Sequence, residues 1–391
     1  MIEHGRLSRT QEYLLAVAAA VVTANAYYIH PIIGDVAEHF GVSDTRIGLV
    51  PALNQLALAV GILLLLPLGD RYSNKRLTII FATGQTASLA LMTVAPGFAG
   101  FTAGSTLLGF FTIAPYLLPA YASKRVAPER LGQVTALLTA GVILGILIAR
   151  VGAGWIAEHY GWRTVYWIAT SLMIAVTLAL PKLMEGGERE SSRVPYWPLV
   201  LSVFGIARKH PEVLLSGAIQ ALNFAQFIAL WLALALYLTA PPMNYGTDIV
   251  GYLAALAAVS ILSTPRLGRW ADRVGPRRAR FILALVQLAG ISLFYPLGGS
   301  LWGLVVPLVL VNLVGPGVDV TGRMTFLSLA PDLRTRLTTA YVVIMFIGGG
   351  IGSFLGTAVY DMAGWAGVCA LLVMSTTVLS SLCWLGTRLG K

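Results

Sequence analysis

Twelve apolar runs, each near the roughly 20 residues that a helix needs to cross a bilayer, leave this 391-residue chain little material for a soluble domain. They extend roughly from 12 to 35, 45 to 68, 77 to 95, 101 to 122, 131 to 156, 164 to 183, 213 to 238, 249 to 267, 279 to 297, 303 to 327, 336 to 359 and 365 to 386. Hydrocarbon offers no partner for backbone N–H and C=O groups, so spanning segments of this kind pair those groups internally, as helices. Only 11% of residues are charged, about half the fraction of a soluble domain. The sequence predicts an all-α membrane protein with twelve transmembrane helices, here numbered as spans 1 to 12.

The placement of charge gives the orientation. All but four of the 27 Lys and Arg precede span 1, follow an even-numbered span or end the chain. The exceptions are Arg46 and Arg163 in opposite loops, and Arg150 and Arg323 inside spans. Basic loops stay in the cytoplasm, so both termini are expected there. The net charge of +10 then reflects topology and predicts no nucleic-acid partner. Cys369 and Cys383 both fall in span 12 and read as small buried apolar residues. The first residues imitate a secretory leader ending at Ala24-Asn25-Ala26. Removing them would break the twelve-span count, so they are expected to remain as span 1.

Shifted by about 200 residues, the chain overlays itself. Asp70-Arg71 meets Asp272-Arg273 at 202, while Gly48 meets Gly251, Pro128 meets Pro331, and Gly161-Trp162 meets Gly364-Trp365 at 203. Two pseudo-symmetric six-helix bundles are expected, residues 1–184 and 213–391, joined by a cytoplasmic loop over 185–212. Six spans per half bring both halves in from the same side, as parallel repeats. Small residues at four-residue spacing recur as well: Gly141, Gly145, Ala149 and Ala153 in span 5, and Gly348, Gly352 and Gly356 in span 11. Such faces let helix backbones approach closely, and they are also smooth enough to slide if the halves rock.

The loops after spans 2 and 8 carry a family resemblance. "GRWADRVGPRR", residues 268–278, resembles the signature loop of the major facilitator superfamily, and "LPLGDRYSNKR", residues 66–76, keeps its Asp70, Arg71, Lys75 and Arg76 but has Leu66 and Ser73 in place of glycines. The resemblance covers the whole chain. It implies a transporter that works by alternating access as a single chain, with Asp70-Arg71 and Asp272-Arg273 as a latch bracing the halves on the cytoplasmic side in one state. A loop that only sets topology needs just its positive charges, so the acid is the informative residue. A carboxylate there can cap a following helix or face another helix's positive N-terminus. "HPIIGDVAEHFGVSDTRIGLV" after span 1 and "GGGIGSFLG" in span 11 look most like the bacterial twelve-span efflux branch, many of whose members are proton antiporters. That resemblance implies a bacterial cytoplasmic membrane. The chain departs from the branch at Ser105, where span 4 normally has an arginine, and at Ala149-Arg150, where span 5 of antiporters has a Gly-Pro step.

No phosphate-binding loop, His-Glu-x-x-His or Gly-x-Ser-x-Gly occurs, so neither an ATP-driven pump nor an enzyme is expected, and no cofactor or metal site. The chemistry must lie in the few polar residues of the spans. Asn25, Tyr27, Tyr28 and His30 belong to span 1, Gln220, Asn223, Gln226 and Trp231 to span 7, and Asn312, Asp319 and Arg323 to span 10. The resemblance puts spans 1, 4, 7 and 10 around a central cavity, which fits the tendency of buried polar groups to face a bundle interior. Span 4 contributes Tyr116, the repeat equivalent of Asp319, between Pro115 and Pro119. His30 reads as an interfacial cap or a proton-sensing group, and Tyr27 and Tyr28 as cavity residues or part of an aromatic belt. Gln220, Asn223 and Trp231 read as cavity lining or interhelical hydrogen bonding. Arg150 reads as cavity-facing or helix-bridging.

"GPGVDVTGR", residues 315–323, holds the sharpest candidate. Asp319 and Arg323 are four apart on one helix face, just beyond a Gly-Pro-Gly that weakens the helix. They form either a structural clip or a site at which Asp319 exchanges a proton or the pair holds a polar substrate. The expected function is secondary transport, with proton-coupled efflux of a small organic compound foremost. The alternatives are a facilitator or symporter of a polar or anionic solute, and a transporter-like receptor or assembly factor that moves nothing.

Overall fold

The computed structural model describes residues 7–185, 195–327 and 334–388, with the side chains of Asp70, Pro128 and Thr335 outside that description. The first span consists of α1 (Arg9–Ala24) and α2 (Ile29–Phe40), separated by a turn over 25–28. α1 starts at a capping box in which Ser8 and Gln11 each accept the other's backbone N–H, which satisfies two of the orphan donors of a helix start. α3 (Asp44–Ile47) leads into α4 (Leu49–Leu65) and a 3-10 turn over Leu66–Asp70. There follow α5 (Asn74–Val94), α6 (Phe98–Phe111), α7 (Ala114–Ser123), α8 (Pro128–Tyr160) and α9 (Trp162–Leu183). The remaining elements are α10 (Tyr196–Lys209), α11 (Pro211–Thr239), α12 (Thr247–Ala254), α13 (Val259–Val274), α14 (Pro276–Ser292), α15 (Phe294–Leu297), α16 (Leu301–Leu327) and α17 (Arg334–Arg388).

Among the described residues eleven helices are long and apolar enough to cross a membrane, against twelve apolar runs in the sequence. The difference lies at the end of the chain, where spans 11 and 12 merge into one stretch, Arg336–Arg388. A straight helix of its 53 residues would be ~80 Å long, far beyond a hydrocarbon core of ~30 Å. Gly364 breaks it with φ 59° and ψ −159°. Gly161, its equivalent at 203, divides α8 from α9 with φ 83°. Both positions need a left-handed backbone, which only glycine takes without cost. The tryptophan after each is an anchor: Trp162 packs on Phe40, Phe101 and Tyr166, and Trp365 stacks on Tyr237 with ring centroids 4.7 Å apart.

The segment expected as a loop over 185–212 contains helix α10, with residues 186–194 outside the description. α10 buries Leu199, Val200, Val203 and Ala207, exposes Trp197, Leu201 and Phe204, and ends in Arg208 and Lys209. Its Tyr196 hydroxyl donates to the Leu64 carbonyl at 2.5 Å. An apolar face flanked by aromatics and cations is the pattern of a helix lying in a membrane interface, which a simple hydropathy reading for spans passes over.

The glycine faces settle against partners within their own half of the chain. A Cβ at Gly141 or Gly145 would lie 2.4 or 2.3 Å from the Ala16 or Ala20 carbonyl oxygen of α1. One at Gly348 or Gly352 would lie 2.3 Å from the Ala221 or Ala225 oxygen of α11, and one at Gly356 would lie 2.6 Å from Ala229 Cα. These are fixed packing contacts, not surfaces on which the halves slide. Between the halves, α4 packs on α17, α8 on α12 and α2 on α11.

Candidate substrate and coupling site

Helix α16 carries Pro307 and Pro316. Pro316 has no N–H to donate and its ring crowds the preceding turn, so nearby carbonyls need other partners. Asn223 Nδ2 of α11 donates to the Gly315 carbonyl at 3.1 Å, and the Ser263 hydroxyl of α13 to the Leu313 carbonyl at 2.8 Å. Two neighbouring helices thereby hold this part of α16. A Cβ at Gly317 would lie 2.8 Å from Leu283 Cδ1, so that leucine side chain would have to shift, whereas nothing stands within 4 Å of one at Gly315.

Asp319 stands one turn beyond Pro316, and Arg323 Nε donates to both its oxygens, at 3.0 and 3.1 Å. Tyr341 of α17 donates its hydroxyl to Asp319 Oδ1 at 2.7 Å, and its ring centre lies 5.0 Å from the Arg323 guanidinium carbon. Sequence reading gives the acid and base but misses this phenol, which arrives from the next span and has no spacing relation to them. Acid and base keep 28% and 32% of their side-chain surface exposed, so the pair is reachable rather than sealed. Tyr116 is half-buried on α7, its ring edge-on to Phe346 of α17 at 6.4 Å.

Arg150 is enclosed, with 2% exposure. Its Nη2 lies 3.0 Å from His30 Nδ1, and its guanidinium carbon lies 4.5, 4.8 and 5.4 Å from the ring centres of Phe227, Trp231 and Tyr27. No carboxylate among the described residues pairs with it, and Arg150 Nε and His30 Nε2 have no hydrogen-bond partner. Arg150 therefore bridges α8 to the first span and to α11 of the other half. This corrects two expectations. His30, 1% exposed, is an interior residue and not an interfacial cap, and Tyr27 belongs to the arginine's enclosure and not to an aromatic belt. Tyr28 is half-buried beside it in sequence.

The span 7 amides form an internal chain. Asn223 Nδ2 lies 3.1 Å from Gln220 Oε1, and Gln287 of α14 donates to Asn223 Oδ1 at 3.0 Å and to Gln226 Oε1 at 3.1 Å. The Thr376 hydroxyl also lies 3.1 Å from Gln226 Oε1. Gln287 was not among the sequence candidates, yet the repeat signals it: Gln85, at an offset of 202, donates to the Val22 carbonyl and to the Thr112 hydroxyl in the first half. Both amide atoms of buried Asn25 lack partners.

Ser105 is buried between α4 and α6, where Asn54 Nδ2 donates to its carbonyl at 2.7 Å, and a Cβ at Gly109 would lie 2.1 Å from the Asn54 oxygen. This close interhelical seam has no space for the arginine of the efflux branch. In the signature loops, Gly275 ends α13 at φ 90°, whereas Ser73 starts α5 by accepting the Arg76 N–H. Serine's side-chain cap thus does locally what the missing glycine's backbone does in the second half. Asp272 stands exposed in the last turn of α13 with no hydrogen bond or ion pair among the described residues, and exposed Arg273 lies in a shallow cleft with Arg266, Arg269 and Trp270. Arg71 is exposed, and the side chain of Asp70 lies outside the described residues.

Comparison with known proteins agrees with this architecture. The family model "Major Facilitator Superfamily" matches residues 15–353. The chain is 30% identical over 357 residues to the putative uncharacterized transporter YgaY of Escherichia coli K12, covering 91% of this chain and 90% of that protein. It is 27% identical over 236 residues to the multidrug resistance protein MdtG of Escherichia fergusonii, covering 59% and 56%. Its fold matches the nucleoside transporter NupG with a TM-score of 0.78 at 14% identity, over 96% of this chain and 99% of that one. The chain is a multi-pass membrane protein and belongs to the major facilitator superfamily of transporters.

Proposed function

We propose that the protein exports a small organic compound across a bacterial cytoplasmic membrane in exchange for protons, acting as a single chain. In this reading its twelve spans form two six-helix bundles, residues 1–184 and 213–391, with both termini in the cytoplasm. One observation carries it: a partly exposed carboxylate, Asp319, is held by Arg323 and Tyr341 one turn from Pro316. A proton on Asp319 removes the charge that Arg323 faces, and a cationic or polar substrate competes for the same oxygens. That exclusivity is what couples two fluxes at one site. The similarity to a multidrug resistance protein supports export as the direction. The cycle brings Asp70 and Asp272 into contact with opposing helix ends when the basic-loop end closes, and Asp272, without a partner among the described residues, fits the opposite, inward-facing state.

The test uses purified protein in liposomes. A solute that raises its melting temperature binds the folded state and is the one to follow. Outside-acid pH gradients accelerate its export, and a protonophore abolishes the acceleration. Flux of that solute unaffected by either would remove proton coupling, and no flux of any stabilising solute would remove transport. A second reading, a carrier of anionic solutes, is favoured by Arg150, a buried cation without a carboxylate partner among the described residues. Preferential stabilisation by carboxylates over amines of similar size would select it.

A further inference from the structure

At the end of the bundle that carries the turns over 41–43, 161 and 240–246, two carboxylates cross between the halves. Glu158, in the last turn of α8, accepts the Thr247 N–H at 2.9 Å. Thr247 opens α12, whose N-cap is Gly246 and has no side chain with which to cap it. The Thr247 hydroxyl in turn donates to the Gly154 carbonyl of α8 at 2.9 Å. On the other side, Asp361 of α17 accepts the Thr45 hydroxyl at 2.6 Å and the Thr45 N–H at 3.3 Å, in the first turn of α3.

Glu158 and Asp361 are 203 residues apart, the offset that relates Gly48 to Gly251 and Gly161 to Gly364, and Thr45 and Thr247 are 202 apart. Each half therefore supplies one acid and one helix start: Glu158 provides the cap that Gly246 lacks, and Asp361 adds a second acceptor beside the Ser43 cap of α3. The surrounding surfaces fit closely. A Cβ at Gly154 would lie 2.4 Å from the Thr247 carbonyl oxygen, and one at Gly48 would overlap the hydroxyl of Thr357. Glu158 also lines a cleft of about 330 Å³ with Asp35, Thr239, Asn244 and Tyr245, so water reaches this carboxylate while the helices beneath are in contact.

We propose that Glu158 and Asp361 are a symmetric pair of gate residues, positioning groups that hold this end shut by capping α12 and α3 across the interface. The inference rests on the alternating-access reading and adds to it the residues that set the closed state of the end away from the basic loops. A carboxylate at a helix start is favoured by the exposed N–H groups and the helix dipole together. Opening this end requires both contacts to break, because each joins one half to the other. The repeat makes the latch reciprocal, so neither half opens alone.

Thr357→Cys is a suitable reporter, since Thr357 is fully buried against Gly48 on the Asp361 side. Its labelling by an impermeant maleimide applied to that end reads gate opening without any substrate. Glu158→Gln, on the opposite edge from the reporter, is expected to raise the labelling rate about 5-fold, as loss of one charged cap would. Glu158→Gln with Asp361→Asn raises it further, and the charge-retaining Glu158→Asp stays closer to the parent than Glu158→Gln does. Protein without the reporter controls for unfolding, which would expose Cys369 and Cys383, both buried here. Labelling unchanged by the neutral variants overturns the gate. If flux is then normal, the gate alone falls, whereas faster labelling without flux of any solute sinks the transport reading and leaves the gate.

Discussion

Arg150 carries its charge at a depth where burying an ion costs several kcal/mol, and no carboxylate among the described residues offsets it. What it has are three aromatic faces and one imidazole nitrogen. A desolvated cation over a ring gains about 2 kcal/mol, so the enclosure roughly balances the cost and leaves little net stability. Arg150→Met is therefore expected to melt at or above the wild-type temperature, by thermal unfolding in detergent, while losing any stabilisation by anionic solutes. A large drop in melting temperature would mean that the arginine is a structural clamp. The residue's identity was visible in the sequence, but its role was not. Spacing within span 5 says nothing of Tyr27, Phe227 or Trp231, which converge on it from two other helices.

Helices were more legible than their partners. Among the described residues eleven helices are long and apolar enough to span, the last of them covering two of the twelve apolar runs, and repeat offsets located the two left-handed glycines, Gly161 and Gly364, because a backbone requirement leaves a fixed residue type behind. Helix α10 was missed because its apolar face alternates with Trp197, Arg208 and Lys209 in a segment too short to span. The glycine faces allow a sharp comparison at this scale. Gly352→Val must displace the α11 backbone, since a Cβ there lies 2.3 Å from the Ala225 oxygen. It is expected to cost about 1–3 kcal/mol, a fall in thermal unfolding temperature. Gly315→Ala meets nothing within 4 Å and gains up to about 1 kcal/mol of helix propensity, so its melting temperature should not fall. Equal losses at both sites would contradict the packing described.

At the scale of the molecule, the halves share a scaffold and differ in chemistry. The shared parts, Gln85 with Gln287 and Glu158 with Asp361, are hydrogen-bond devices that hold helices in place. The unshared part is the proposed site: Asp319, Arg323 and Tyr341 have no charged counterpart in the first half, where Tyr116 stands in Asp319's place. The sequence shows that asymmetry directly, whereas which phenol completes the site depends on how α16 and α17 pack. Proton and substrate are proposed to compete at Asp319. Liposomes bearing Asp319→Asn test it most directly, by comparing exchange of labelled solute at equal concentrations with net export driven by a pH gradient. Exchange is expected to persist while gradient-driven export is lost. Gradient-driven export at the wild-type rate in Asp319→Asn, at every pH examined, would contradict it.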